Sequence, residues 1–373
     1  MPETLPVAGM TGDHRTSFTL PSPWYYRTDV LEREKEEIFF RSWRFVCHRS
    51  ALGTPGSYVT VDIHGQGIVA IRGRDGRLRA FYNVCQHRAH ELLQGEGNVK
   101  ALITCPYHAW AYDTTGRLRS ARHCEAMPDF DKADFTLAQV RVEVFAGFVF
   151  VNLDPEAAPL AEETEGLADE IRALVPDLDQ LTFAHRLTFD IKSNWKNVVD
   201  NFLECYHCPG AHKDFASLVE MDTYKVVTHE IYSSHIAKAG NIDNSAYKID
   251  DAPVKDHAVW WLWPNTCFMR YPGEGNIIVL NVIPTGPETT FETYDFYFLQ
   301  DEPKPSQVEA IDYLRDVLQR EDIDIVESVQ RGMRTPAYEQ GRFVTDPEGS
   351  GYSEHGVHHF HALVIQAYET AAA

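Results

Sequence analysis

The stretch Asn201-Phe-Leu-Glu-Cys-Tyr-His-Cys-Pro-Gly-Ala-His212 decides how the rest of the chain is read. It sets a carboxylate and two imidazoles at the spacing Glu204-x2-His207-x4-His212. Just upstream, Trp195, Val198, Val199, Phe202, Leu203 and Tyr206 recur at i, i+3, i+4, i+7, i+8 and i+11, which is one apolar helical stripe. At about 100° per residue, Glu204 and His207 fall off that stripe and about 60° apart, so the pattern predicts that they share a polar helical face. His212 lies beyond Pro209-Gly210, where the chain must turn, and a turn can carry it back over His207. Two neutral imidazoles aimed at one point suit a divalent first-row metal. In a chain with 17 His, such a pair can equally be two surface histidines, so the rest of the sequence has to decide.

At 373 residues the chain is long enough for two domains with real cores. A net charge of -21 argues against nucleic acid and against an anionic membrane as partners. It is compatible with a small cationic substrate, and also with acidity that serves solubility alone. The opening MPETLPVAGMTGDHRTSFTL lacks the basic segment and apolar run of a signal peptide, and no apolar stretch approaches the roughly 18 residues needed to span a bilayer. Seven cysteines without a dense framework predict a reducing, cytoplasmic setting. Cys205 and Cys208 form a Cys-x2-Cys pair that reads as small packing residues.

In chain order, residues 20 to 42 read as aromatic-rich and helical. From about 43 to 155 the texture is short alternating strands with Gly turns, as in an antiparallel β domain. The Pro/Glu/Ala-rich segment 154 to 182 reads as a linker into a surface helix. From about 183 come a strand at Leu187, a helix opening at Asn194, strands at 258–262, 276–283 and 293–299, and an amphipathic helix from Ser306 to about Met333. Strands followed by long helices, without βα alternation, predict an α+β fold. The expected division is a β domain over 43–155 and a second domain built from 1–42 and 156–373.

Within the β region, Cys85-Gln-His87 is followed after 17 residues by Cys105-Pro-Tyr-His108. Each half offers one thiolate and one imidazole, which can hold a tetrahedral zinc or a [2Fe-2S] cluster with cysteines on one iron and histidines on the other. Mixed Cys/His halves favour the cluster, since zinc fingers pair Cys with Cys and His with His. Histidine ligation raises such a cluster's potential to roughly -150 to +300 mV, which suits an electron relay.

Taken in order, these motifs resemble the oxygenase (α) component of the Rieske non-haem iron oxygenases, over residues from about 20 to the C-terminus. The resemblance implies a Rieske [2Fe-2S] domain, then a helix-grip catalytic domain with a central antiparallel sheet. It also implies a mononuclear Fe(II) held by two His and one carboxylate, with positions open for O2. His207 and His212 match the histidine ligands. The late helix places Asp322 within the apolar stripe Ile311, Leu314, Leu318, Ile325 and Val329, where an acid needs a partner or a metal. The family pattern puts its carboxylate ligand at the same Asp322.

Glu204 matches the acid that, in the family, hydrogen-bonds a Rieske histidine of the neighbouring subunit across a trimer interface. Many ring dioxygenases carry Asp there. Glu in Glu-Cys-Tyr-His-Cys is similar to the branch acting on quaternary ammonium compounds, which implies hydroxylation of a C–H bond next to nitrogen with electrons from a flavin and [2Fe-2S] reductase. Aromatic ring hydroxylation or O-demethylation is the alternative. Ala89 departs from the family's usual Gly after His-Arg. Trp260, Trp261 and Trp263, with Tyr206 and Tyr271, are expected as walls of a cation pocket, because quaternary ammonium groups sit over aromatic faces. The region 232 to 257 carries no motif, and His355, His358, His359 and His361 read as a polar helix lining or surface.

Overall fold

The computed structural model describes residues 7–124, 127–240 and 254–370. Of the motif-free stretch 232–257, residues 241–253 therefore lie outside the described residues. The chain divides into two compact units, Phe39–Glu162 and the combination of Met1–Ile38 with Glu163–Ala373. The fold is α+β with antiparallel sheets, as the strand and helix patterns predict.

The Phe39–Glu162 unit carries strands β1 (Arg44–His48), β2 (Ser57–Ile63), β3 (Gln66–Arg72), β4 (Leu78–Tyr82), β5 (Glu96–Asn98), β6 (Ile103–Thr104), β7 (Ala111–Tyr112), β8 (Leu118–Ser120), β9 (Gln139–Phe145) and β10 (Phe148–Asn152). Seven of them form a sheet in the order β1-β10-β9-β4-β3-β2-β5, and β6-β7-β8 form a small second sheet. Strand alternation gives β3 two buried faces. Ile68 and Ala70 pack into one core with Val149 and Val151. Val69 and Ile71 pack into the other, beneath Cys85, Cys105 and Trp110. That second core is the floor on which the two Cys/His loops stand.

The larger unit is built on strands β11 (Thr182–Ile191), β12 (Lys225–Thr228), β13 (Tyr232–Ala237), β14 (His257–Leu262), β15 (Thr266–Arg270), β16 (Asn276–Gly286) and β17 (Thr289–Phe298). They make one antiparallel sheet in the order β11-β17-β16-β15-β14-β13-β12. The register puts Glu292 opposite Val282, Tyr294 opposite Leu280, Met269 opposite Ile278 and Val259 opposite Met269, so these side chains share one face. Helices Trp195–Phe202 and Gln319–Met333 contribute further residues to the cavity described below.

The helix after β11 begins where the sequence predicts, with the Asn194 side chain capping Lys196 N at 2.9 Å. It ends at Phe202, earlier than the apolar stripe implies. Beyond Leu203 the chain leaves helical phase, so Glu204 and His207 share no helical face and Tyr206 is 54% exposed. A physical reason is local: Cys205 N is drawn out to Gly351 O at 2.8 Å, and Cys205 and Cys208 are joined in a disulfide with Cα atoms 4.9 Å apart. The reading of these cysteines as packing residues is thereby corrected.

The late helix also differs from its sequence pattern. It runs as Pro305–Tyr313, a π turn over Leu314–Leu318, then Gln319–Met333. The extra residue of the π turn shifts the buried line to Gln319, Ile323, Val326, Gln330 and Met333, leaving Val329 42% exposed. Asp322 is brought to the rim of that line, half-buried, where its carboxylate can face a site.

Inside this unit the N-terminal helix Thr28–Glu34 is tied to the helix after β11 by a buried ion pair. Glu34 accepts from Lys196 Nζ and from Trp195 Nε1, the latter at 2.8 Å, and both charged residues are fully buried. The C-terminal helix His355–Thr370 spends its histidines on structure: His355 reaches Val226 O at 3.0 Å, His358 Thr11 O at 2.8 Å and His361 Asp200 at 2.9 Å.

Candidate metal centres and the cavity beside them

The two Cys/His loops close in the same way. Cys85 N donates to His90 O and Ala89 N to Cys85 O, at 2.8 and 3.0 Å; Cys105 N donates to Trp110 O and Ala109 N to Cys105 O, again at 2.8 and 3.0 Å. Ala89 and Ala109 sit at φ 56° and 58°, the left-handed conformation that explains why Gly is the usual residue at the first of them. Both cysteines are buried, His87 is exposed and His108 is half-buried. The two imidazoles stand 4.6 Å apart by ring centroids, and Trp110 stacks on His87. Tyr112 Oη accepts from Gln86 N at 3.0 Å and lies 3.4 Å from Cys85 Sγ, so the thiolate side has a hydroxyl partner. Two sulfurs from below and two nitrogens from the outer edge are the donor set of a cluster with one iron near each pair.

The second centre joins residues from far apart in the chain. Ligand atoms of His207, His212 and Asp322 all lie within 4.8 Å of one another. Asp322 Oδ1 is 2.9 Å from His212 Nε2 and 3.6 Å from His207 Nε2. The opposite ring nitrogens are already engaged. His207 Nδ1 meets Glu204 Oε1 at 2.6 Å, and His212 Nδ1 meets Glu321 Oε2 at 2.7 Å. With both Nδ1–H groups donated to carboxylates, both Nε2 lone pairs are left facing Asp322, the arrangement a 2-His-1-carboxylate iron requires. Asn201 Nδ2 donates to the same Asp322 oxygen at 2.8 Å. Burial pulls the His212 pKa down, but Asp322 and Glu321 outweigh it and hold it at about 9.

Beside this triad is a cavity lined by Tyr271, Tyr294, Met269, Leu280, Glu292 and Gln319 among others. Of the aromatic residues expected as its walls, the structure brings only Tyr271 there. Strand parity explains Trp260, and position along the chain explains the rest. Trp260 points to the far face of the sheet, where Nε1 donates to Glu170 at 3.1 Å. Trp261 is on the near face but farther along β14, packed with Trp263 and Phe360. Trp263 packs on Phe360 as well, and Tyr206 faces outward. Sequence reasoning missed Glu321, Asn201, Tyr294 and Glu292. For Glu292 a signal existed, an acid in phase with Tyr294 and Phe296 on a strand buried on both faces.

With this geometry in hand, comparison with known proteins is direct. Residues 42–131 match the Rieske [2Fe-2S] domain, and residues 178–370 match the ring hydroxylating alpha subunit (catalytic domain). The chain belongs to the Rieske non-haem iron oxygenases, as an oxygenase component with a [2Fe-2S] cluster and a mononuclear iron. Within that class it is 42% identical over 354 residues to the carnitine monooxygenase oxygenase subunit of Escherichia coli (strain K12), covering 95% of this chain and 94% of that one. It is 32% identical to the chloroplastic choline monooxygenase of Spinacia oleracea, covering 93% of this chain and 78% of that one. Its fold matches the quaternary ammonium Rieske monooxygenase CntA solved with L-carnitine, with a TM-score of 0.88 and 39% identity over 98% of this chain and 99% of that one. Among the described residues, no helix is long and apolar enough to cross a membrane.

Proposed function

We propose that this chain is the oxygenase component of a two-component monooxygenase that hydroxylates a C–H bond next to nitrogen in a carnitine- or betaine-like quaternary ammonium compound. The hydroxylated product is a carbinolamine, which separates into an aldehyde and an amine. The observation that carries this reading is likeness along nearly the whole chain to a protein solved with L-carnitine, joined to a triad that opens on an aromatic-lined cavity. Bound iron supplies the O2 chemistry. The chain's own residues do the rest: Glu204 and Glu321 fix the His tautomers, and the cavity orients the substrate while its apolar walls exclude water.

In this reading the Rieske domain spans 43–155 and the catalytic domain comprises 1–42 and 156–373. Cys85, His87, Cys105 and His108 hold the cluster, and His207, His212 and Asp322 hold the iron. A flavin and [2Fe-2S] reductase delivers electrons in the cytoplasm. The protein works as a homotrimer in which Glu204 links its own His207 to a Rieske histidine of the neighbouring subunit. The 2.6 Å contact of Glu204 with His207 supports one half of that link.

The test is product analysis after aerobic turnover of trimethylammonium compounds with a surrogate reductase, with simple arenes alongside. Aldehyde and amine in step with oxygen uptake are expected. Coupled oxygen uptake with arenes alone would overturn the reading in favour of ring hydroxylation.

A further inference from the structure

We infer that Glu292 is the specificity-determining residue of the cavity, its carboxylate facing the quaternary ammonium group of the substrate. The inference rests on the ammonium function proposed above and goes past it to name the countercharge. Glu292 lies on β17, between β11 and β16, and is 1% exposed. Its Oε2 accepts from Gln319 Nε2, and Gln319 Oε1 in turn accepts from Tyr294 Oη. Gln319 thus bridges Glu292 to Tyr294. Among the described residues no hydrogen bond engages the other carboxylate oxygen, and Glu292 lines the cavity.

A carboxylate so placed is costly unless a cation meets it. Among the described residues lining the cavity, none is Lys or Arg. Of its imidazoles, His207 and His212 belong to the triad, and burial drives the His257 pKa down to about 3, with Arg270 adding to the effect, so that ring is neutral. Burial also pushes the Glu292 carboxyl well above its usual range, and the charge of Asp322 adds to the shift. The cavity thus holds an acid that an entering cation would stabilise in its charged form. Around it stand Tyr271, Tyr294, Phe215 and Tyr224, aromatic walls of the kind that take trialkylammonium groups. Gln319, which holds Glu292, stands one helical turn before Asp322, and both line the cavity, so an ammonium held at Glu292 sits on the triad's side of it.

The test compares binding of L-carnitine with that of its neutral-headed isostere, 3-hydroxy-5,5-dimethylhexanoate, in which carbon replaces nitrogen. Isothermal titration is done anaerobically on protein loaded with both metals, for the natural protein and for Glu292→Gln. The natural protein should prefer carnitine, and Glu292→Gln should cut that preference by roughly 10-fold or more while leaving isostere affinity and the cluster's visible spectrum unchanged. An unchanged preference in Glu292→Gln overturns the inference. If Glu292→Gln does not load both metals, Glu292→Asp carries the test: a retained preference supports the inference, and a lost one overturns it. A natural protein that binds carnitine no better than the isostere overturns the inference too. One that binds no ammonium compound and consumes oxygen with an arene instead overturns the proposed function itself, so the two failures are distinguishable.

Discussion

Glu321 and Asp322, adjacent in the chain, grip opposite nitrogens of one ring: Glu321 Oε2 meets His212 Nδ1 at 2.7 Å and Asp322 Oδ1 meets His212 Nε2 at 2.9 Å. Consecutive helical residues point about 100° apart, so such a grip needs a ring set between them at the helix surface. Glu321 thereby decides which nitrogen of His212 is free for metal.

Replacing Glu321 by Ala should weaken iron retention by roughly 10- to 100-fold, the usual effect of losing a carboxylate behind a ligand histidine. Iron content after graded exposure to a chelator reads this directly. Glu321→Gln keeps an acceptor for Nδ1–H and should recover most of the loss. Equal retention in Glu321→Ala and the natural protein would rule out the positioning role.

The raised His212 pKa gives a pH prediction with a definite sign. In metal-free protein, its folded pKa of about 9 lies above an unfolded value of about 6.5. Its contribution to stability is therefore fully present below about pH 6.5 and is lost as pH rises through about 9. Iron needs the neutral ring, so metal affinity should rise through the same window, with a proton released on binding. Thermal unfolding of metal-free and iron-loaded protein between pH 6 and 10 should show the gap between them widening. A constant gap would exclude His212 as the titrating ligand.

Glu204→Gln keeps an oxygen that can accept from His207 Nδ1 but removes the charge. Iron and cluster content should be unchanged and reduction of the cluster by dithionite should remain complete. Turnover should fall by roughly 10- to 100-fold. Stopped-flow recording of cluster reoxidation by O2 in the presence of substrate locates the loss; full turnover would remove Glu204 from the electron path.

Glu34→Ala should destabilise the larger unit by about 3–5 kcal/mol, because it leaves Lys196 charged and unpaired in a dry site. Replacing both, Glu34→Leu with Lys196→Met, should cost much less. A thermal midpoint equally low in the single and double variants would mean that shape, and not the stranded charge, sets the loss.

How much of this was legible beforehand follows from what each signal depends on. The cluster loops depend on short-range spacing, and Cys85, His87, Cys105 and His108 meet as their order suggests. His207 and His212 were legible from their spacing and Asp322 from the family pattern; the apolar stripe drawn around Asp322 was not, since the π turn moves the buried line to Ile323 and Val326. The end of the helix at Phe202 was not legible, since a backbone bond to Gly351 and a disulfide override the apolar repeat. The tryptophans misled because parity sends Trp260 to the far face, while Trp261, on the near face, sits too far along β14 to reach the cavity and Trp263 lies beyond the end of the strand. Glu292 was overlooked although its parity with Tyr294 gave a cue.

The π turn at Leu314–Leu318 makes the iron site depend on a count of residues as well as on their identity. Winding the same residues as a regular helix would turn everything after them by about 100°. Glu321 and Asp322 would swing off His212 together, with every ligand still present in the sequence. A chain of that kind would pass any inspection of its motifs and yet hold no iron.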